Sequence, residues 1–246
     1  MEWTHLLDDD GPALEYVEGV RDKLPIADLA RVAPGRTHGQ AAVAALSRLS
    51  GWKLATEDAK LAEAVRRAGA VQTRHATVMS ADPSPHRDAP AVEMVPRRSI
   101  DVRDILPGWL ASSPVGHPDH EEGPEAEIIE QSWDWYDEPE WLEREHRSSG
   151  LVVRDGQVVA GIIISLRPQP VPYGGPWVHD VWRVPGISDP GTGAALLAQA
   201  MRMLAEDGFT TLGLAVSEGN PARRVYDRLG FVKQLEAWTF LLPASK

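Results

Sequence analysis

The chain has no cysteine among its 246 residues. This absence excludes a disulfide framework, a thiolate metal site and a cysteine nucleophile, and it agrees with a reducing compartment. No apolar run approaches the ~20 residues that cross a bilayer. The acidic residues 1–10 lack the basic and apolar parts of a signal peptide. We therefore expect a cytoplasmic protein with no membrane partner.

Positive charge is scarce, because 25 Lys and Arg stand against 36 Asp and Glu, which gives a net charge of −11. This balance argues against nucleic acid as a partner and is compatible with a cationic amine substrate. The apolar content of 43% suffices for a sizeable core, as one large domain or as one domain with an extension. His117 and His120 follow no spacing typical of metal ligands, so we expect a solvated loop there and no metal.

Residues 179–195 have the pattern of a strand, a glycine-containing loop and the first turn of a helix. The apolar and aromatic residues 177–184 favour a strand, and Pro185 ends it. Gly191 and Gly193 permit positive φ and close approach of a ligand, and a helical pattern follows them. Such a helix N-terminus is suited to bind an anion, although a tight turn before a packed helix explains the same residues.

A second motif follows downstream, with a predicted strand at 210–216, a turn at 217–221 and a short helix at 222–231. The two motifs read P-x-x-S-D-P-G-T-G-A-A-L-L and L-A-V-x-x-G-N-P-A-x-x-x-Y-x-x-L-G-F. In order and spacing they resemble the GNAT superfamily of acyl-CoA-dependent N-acetyltransferases. The resemblance covers residues 91–246.

The resemblance implies an α/β fold with a mixed, mostly antiparallel sheet flanked by helices. It also implies acetyl-CoA as co-substrate, without a metal, and direct acetyl transfer to a primary amine, here of a small cationic acceptor. Main-chain amides near Val181, Trp182 and Arg183 would bind the thioester carbonyl. The other residues that the resemblance places against acetyl-CoA are Ser188, Asp189, Gly191, Thr192, Gly193, Ala194 and Asn220.

One part of the loop departs from the family pattern, since Ser188 stands where Arg or Gln is usual. Asp189 would bring negative charge close to bound phosphates, and Pro190 has no amide hydrogen. We expect weaker side-chain help to the pyrophosphate, with the amides of residues 191–195 still available.

Two residues are candidates for proton transfer. Tyr226 stands four residues before the glycine of the LGF motif, where the family's tyrosine meets the sulfur, and a neutral phenol suits a general acid. His179 is the candidate base, because in a regular strand it would share a face with Val181 and Arg183, and Asp180 is the second choice. A core tyrosine, a structural histidine and a family mechanism without a strong base stay open as alternatives.

Residues 125–147 combine three tryptophans and a tyrosine with nine carboxylates. Aromatic faces beside carboxylates attract a cationic amine, so we expect Glu130, Trp133 and Trp135 to bind the acceptor. We expect a helix over 125–133 and a break around Pro139. An amphipathic helix with core aromatics and a solvated acidic face is the alternative.

The pattern predicts two domains, an N-terminal extension at 1–88 and the catalytic domain at 91–246. The extension is expected to be mainly helical, with helices at 12–24, 38–49 and 57–70 and a strand at 73–80. A gapless offset of 161 residues lays Trp52 to Ser80 on Gly213 to Leu241 with five identities. The extension is therefore either a degenerate half-GNAT repeat without chemistry or a helical addition.

Local signals complete the catalytic domain. A first strand is expected at 91–95, then a short helix at 100–106 that Pro107 and Gly108 stop. Strands at 151–154 and 158–166, joined by Asp155 and Gly156, predict a hairpin with a type I′ turn.

Other functions stay open at this point. A non-catalytic acyl-CoA-binding sensor or assembly domain would use the same scaffold, and a protein or peptide amine could be the acceptor. A nucleotide-binding domain would need a lysine after the loop, which the sequence lacks. The sequence also leaves a homodimer open.

Overall fold

The computed structural model describes residues 2–21, 23–136, 143–167 and 175–244, with the side chains of 131 and 133–136 left out. It consists of two compact units. The N-terminal unit comprises Met1–Val78 and Gln234–Lys246, and the central unit comprises Met79–Lys233. The prediction placed one boundary near residue 90. In the structure the first stretch of the N-terminal unit ends at Val78, and the last strand of the chain also belongs to this unit.

The N-terminal unit is a sheet with two helices. Its elements are β1 Thr4–Asp8, β2 Gly11–Arg21, β3 Leu24–Val32, α1 His38–Arg48, β4 Lys53–Thr56, α2 Ala59–Arg67, β5 Val71–Ala81 and β10 Val232–Leu241. The strand order is β1-β2-β3-β4-β10-β5. The first three strands are antiparallel, whereas β3 and β4 are parallel.

The mainly helical extension is wrong at its first predicted helix, residues 12–24. Residues 12–21 lie in β2, and Leu24 begins β3. Their apolar positions, among them Leu14 and Tyr16, fit both periods, and pairing with β1 and β3 selects the strand. The other two helices and the strand at 73–80 are confirmed, with Thr37 and Asp58 as N-caps of α1 and α2.

The central unit contains α3 Val102–Ala111, α4 Glu125–Tyr136, β6 Gly150–Arg154, β7 Gln157–Arg167, β8 Gly175–Arg183, α5 Thr192–Glu206, β9 Leu212–Ser217 and α6 Arg223–Arg228. The strand order is β9-β8-β7-β6. β6, β7 and β8 are antiparallel, and β8 and β9 are parallel. The mixed α/β fold that the sequence predicts is confirmed.

Buried side chains cover both faces of the central sheet. On one face, Ile162 and Ile164 of β7 pack with apolar residues of α5 and α6. On the other face, Ile163 packs with Ile105 and Leu106 of α3. This alternation along β7 follows from the period of a strand that is buried on both sides.

Three local predictions have different outcomes. The type I′ hairpin is confirmed, because Asp155 and Gly156 have φ of 49° and 77°. The first strand at 91–95 is wrong, since only Val95 bridges to Leu151 before Pro96. The predicted stop at Pro107 and Gly108 lies inside α3. A Cβ on Gly108 would lie 2.4 Å from the Val158 carbonyl oxygen, so α3 approaches β7 closely at a glycine.

The chain contains one order of elements twice, although β10, the last element of the second series, belongs to the N-terminal unit. The series β1-β2-β3-α1-β4-α2-β5 corresponds to β6-β7-β8-α5-β9-α6-β10. The offset of 161 residues lays β4, α2 and β5 on residues 214–217, 220–228 and 232–242, where β9, α6 and β10 lie. Gly69 and Gly230, which the offset also matches, have φ of 106° and 86°. The fold therefore agrees with a half-repeat rather than with a helical addition.

Within the described part of the chain, no helix is long and apolar enough to cross a membrane.

Candidate active site

An irregularity in β8 shapes the candidate site. Ile163 pairs with Asp180 and Ile164 pairs with Val178, so His179 is an extra residue in β8. A bulge of this kind bends a strand and increases its twist. The parallel register with β9 consists of Trp177 opposite Gly213, although β8 continues to Arg183. The two strands therefore diverge beyond Trp177.

The bulge also changes which residues share a face. Val178 and Val181 both pack toward α5 and α6, although they are three positions apart. The period-two argument that placed His179 on the face of Val181 assumed a regular strand, and β8 is irregular at this residue. Val181 and Arg183 are half-buried and Trp182 is buried, at the end of β8 beyond the point of divergence.

The glycine loop leads directly into α5. Gly191 precedes the helix with φ of 93° and contributes no side-chain cap. The first α-helical bond runs from the Ala195 amide to the Gly191 carbonyl, at 2.9 Å. The amides of Gly193 and Ala194 precede that bond, at the positive end of the helix dipole. An anion is the complementary ligand for such an end.

Three polar side chains of the loop contact other groups of the protein. Ser188 is buried and its hydroxyl donates to the Val184 carbonyl at 2.9 Å. The Thr192 hydroxyl donates to the Asp189 carbonyl at 2.8 Å. The Asp189 carboxylate pairs with Arg154, and this contact lowers the pKa of Asp189. Ser188 and Thr192 therefore hold the loop in shape, and any contact of theirs with a cofactor would come from the main chain.

The N-terminal unit has a corresponding loop between β3 and α1. Pro34-Gly35 corresponds to Pro185-Gly186, and the two glycines have φ of 80° and 81°. Here, however, the helix caps itself: the Gln40 amide donates to the Thr37 hydroxyl at 3.2 Å, and the Thr37 amide donates to the Gln40 side chain at 3.0 Å. This capping box uses the groups that α5 leaves open. The gapless offset of 161 residues begins at Trp52 and does not reach this loop, whose Pro-Gly pairs are 151 residues apart.

Tyr226 lies in α6, buried against Phe231, with ring centroids 5.9 Å apart. Burial raises its pKa, and the nearby carboxylates of Asp180 and Asp119 raise it further. The phenol is therefore protonated at neutral pH and is able to act as a proton donor.

Asn220 is held by its own neighbours. Its side-chain oxygen accepts from the Ala222 amide at 2.8 Å, and its side-chain nitrogen donates to Asp119 at 2.7 Å. Asp119 also accepts from Ser217. Asp119 belongs to the loop that the sequence assigned to solvent, and no local motif marks it as part of the site. Among the described residues, no group of three or more potential ligands is arranged for a metal.

His179 is a weak base in this environment. Burial lowers its pKa to about 4, and the Arg167 guanidinium contributes to the same shift. The imidazole is therefore neutral over the whole physiological range. Proton transfer is most efficient when the pKa of the base is close to the working pH.

The proposed acceptor segment is helical at its start, as expected. α4 covers residues 125–136, and its residue Glu130 is exposed whereas Ile128 is buried. Trp133 and Trp135 belong to this helix, but their side chains lie outside the described residues, as does the predicted break around Pro139. The binding roles of Glu130 and the two tryptophans stay predictions.

Comparison with known proteins identifies the class. Residues 116–231 match the model of the acetyltransferase (GNAT) family. This stretch is therefore similar to the GNAT acetyltransferases, a family that transfers an acyl group from acyl-CoA to an amine. The resemblance of the two sequence motifs is confirmed. No curated protein matches the sequence.

Solved structures share the fold at low identity. A GCN5-related N-acetyltransferase from Sphaerobacter thermophilus is 16% identical with a TM-score of 0.54, over 98% of this chain and 81% of that chain. A GCN5-related N-acetyltransferase from Kribbella flavida is 17% identical with a TM-score of 0.54, over 94% of this chain and 87% of that chain. A tandem GNAT protein from the clavulanic acid biosynthesis pathway is 16% identical with a TM-score of 0.55, over 97% and 82%. Its tandem arrangement agrees with the repeated order of elements found here.

The lowered pKa of His179 has a measurable consequence. In an NMR titration, the His179 ring signal, assigned with His179→Asn, should have its midpoint near pH 4. The pH dependence of kcat/KM between pH 5 and 8 should keep its shape in His179→Asn, because the ring is already neutral there. A midpoint near 6.5, or an inflection in that range that the substitution removes, would contradict this assignment.

Proposed function

We propose that the protein transfers an acetyl group from acetyl-CoA directly to a primary amine of a small cationic acceptor. The observation that carries the proposal is the open N-terminus of α5. The amides of Gly193 and Ala194 precede the first α-helical hydrogen bond, and the cap Gly191 provides no side-chain partner for them. This part of the chain matches an acyl-CoA-dependent family. The diphosphate of acetyl-CoA is the anion that this place would bind.

The chemistry follows from the residues around the divergence of β8 and β9. Amides at Val181, Trp182 and Arg183 would polarise the thioester carbonyl, as donors aimed at developing negative charge do. Tyr226 would protonate the departing thiolate. His179 would take the proton from the ammonium group of the tetrahedral intermediate. That ammonium group is far more acidic than the protonated form of the free amine. A weak base suffices there, provided that the amine attacks in its neutral form.

Charge supports a cationic acceptor. The carboxylates of Asp119 and Asp180 raise the pKa of Tyr226, and Asp119 also accepts from Asn220, so both would add negative charge beside the reacting centre. The exposed carboxylate of Glu130 and the tryptophans of α4 would add a wall that binds a cation from one side. The net charge of −11 favours a small amine over nucleic acid and agrees with a cytoplasmic location.

One acyl-CoA site per chain is part of the proposal. The loop before α1 is closed by Thr37 and Gln40, and the preceding Arg36 pairs with Asp8 and Asp10. A phosphate there would have to displace both the capping box and an ion pair. The N-terminal unit would thus keep the fold without the cofactor.

Tyr226→Phe tests the reaction itself. Small amines are first screened with the wild-type protein for release of the CoA thiol. With an amine that reacts, the kcat of Tyr226→Phe should be lower by roughly 10²- to 10⁴-fold, because the proton donor is lost. The affinity for CoA, measured by calorimetry, should be nearly unchanged, since the ring still packs. Tyr16→Phe is a matched control, because Tyr16 is also buried but lies in β2. A Tyr226→Phe protein at the wild-type rate would contradict the role, and binding of acetyl-CoA without turnover of any amine would favour the non-catalytic sensor.

The acceptor wall is tested by steady-state kinetics. Trp133→Ala, Trp135→Ala and Glu130→Gln should raise the KM for the amine much more than the KM for acetyl-CoA, because they remove contacts to the acceptor alone. Trp3→Ala, in the N-terminal unit, should change neither constant. Equal effects on both constants, or loss of folding, would mean that α4 contributes to the core rather than to the acceptor site.

The number of sites is tested by calorimetric titration with CoA, which should give one molecule bound per chain.

Gly193→Val should abolish binding while the protein stays folded, because a Cβ at Gly193 meets no atom within 4 Å. Gly191→Val combined with it should do the same, although φ of 93° adds strain at Gly191. Thr37→Val with Gln40→Ala should lower thermal stability and leave CoA binding unchanged. Two molecules bound per chain would refute the single site.

A further inference from the structure

The glycine loop has no positive charge of its own. Residues 184–191 contain no Lys or Arg, and the first basic residue of α5 is Arg202, ten residues into the helix. The loop instead carries Asp189, two residues before the helix cap Gly191. A diphosphate bound to the amides of Gly193 and Ala194 would therefore meet a carboxylate with no cation from the same segment.

A cation reaches this loop from a different part of the chain. Arg154, the last residue of β6, donates from Nη2 to the Asp189 carboxylate. Its main chain is held by the type I′ turn, in which Arg154 pairs with Gln157 across Asp155 and Gly156. Asp189 is held through its carbonyl, which accepts from Thr192. Both partners thus start from fixed backbone positions at the N-terminus of α5.

The exposure of this ion pair indicates that it does little for stability. The side chains of Arg154 and Asp189 are 42% and 71% exposed, and pairs of that kind contribute little to folding. A guanidinium group has five N–H donors in a planar fork, and the contact with Asp189 uses those of one nitrogen. The remaining donors suit a phosphate oxygen, and such charge-assisted bonds are strong.

We propose that Arg154 is a phosphate-binding residue of the acyl-CoA site, where its guanidinium contacts the diphosphate while Asp189 holds it in place. The inference rests on the proposed function, because it needs acyl-CoA at the N-terminus of α5. Arg154 then supplies from a hairpin the charge that the family pattern places at the head of the loop, where this chain has the buried Ser188. Asp189 is a positioning residue rather than a repulsive neighbour.

The test compares two arginines at opposite ends of α5. Arg154→Gln should weaken the binding of CoA and of dephospho-CoA by about 10- to 100-fold, as expected when a bond to a charged group is lost. The loss should shrink at high salt, because the group is exposed. Arg147→Gln is the control, since Arg147 pairs with Asp207 and Glu206 at the C-terminal end of the helix. Its affinity for both ligands should stay unchanged.

The Asp189→Asn variant distinguishes a direct contact of Arg154 with the phosphate from a role of Arg154 that only neutralises the charge of Asp189. If Arg154 touches the phosphate, Arg154→Gln should still weaken binding in the Asp189→Asn background. If Arg154→Gln no longer weakens binding when Asp189→Asn is present, the assignment to the diphosphate is overturned. The same holds if Arg154→Gln weakens the binding of CoA but not that of dephospho-CoA. Unchanged affinity in Arg154→Gln would overturn it as well. Failure of the wild-type protein to bind CoA would instead overturn the proposed function.

Discussion

The candidate site depends on one extra residue in a β-strand. Because His179 is inserted between the pairs that β8 makes with β7, the strand bends and leaves β9 after Trp177. α5 follows β8 and α6 follows β9, so both helices begin at the carboxyl ends of parallel strands that are diverging. Ligands of open α/β sheets bind at such places. The glycine cap of α5 and Tyr226 of α6 both follow from these two strands, in the loop after β8 and in the helix after β9.

The sequence predicts the elements of the site better than their geometry. Strand, glycine loop and helix are local patterns, and Asp155-Gly156 specifies its turn through positive φ at both positions. The bulge at His179 is set by pairing with β7, which no local period encodes, so the regular strand assumed for His179 does not hold. Arg154 and Asp119 are distant in sequence from the residues that they contact. Long-range contacts of this kind are invisible to motif reasoning.

The error at β2 has a related cause. Residues 12–24 carry apolar side chains at positions that fit a helix as well as a strand, and only the neighbouring strands decide between the two. Once β2 is a strand, the order β1-β2-β3-α1-β4-α2-β5 matches the order β6-β7-β8-α5-β9-α6-β10. One difference between the two series lies at the start of α1 and α5. Thr37 and Gln40 satisfy the end of α1 from within, whereas Gly191 leaves the end of α5 to a ligand.

The place of the last strand bears on how the protein is made. β10 lies between β4 and β5 in the N-terminal sheet, yet it begins 151 residues after the end of β5 and 176 residues after the end of β4. During synthesis the ribosome releases β4 and β5 long before β10 exists, so their inner edges have no partner until translation is almost complete. Unpaired strand edges promote aggregation. The first residues to be translated are therefore among the last to become fully folded, and a stop codon shortly before residue 232 would damage the beginning of the protein more than its middle.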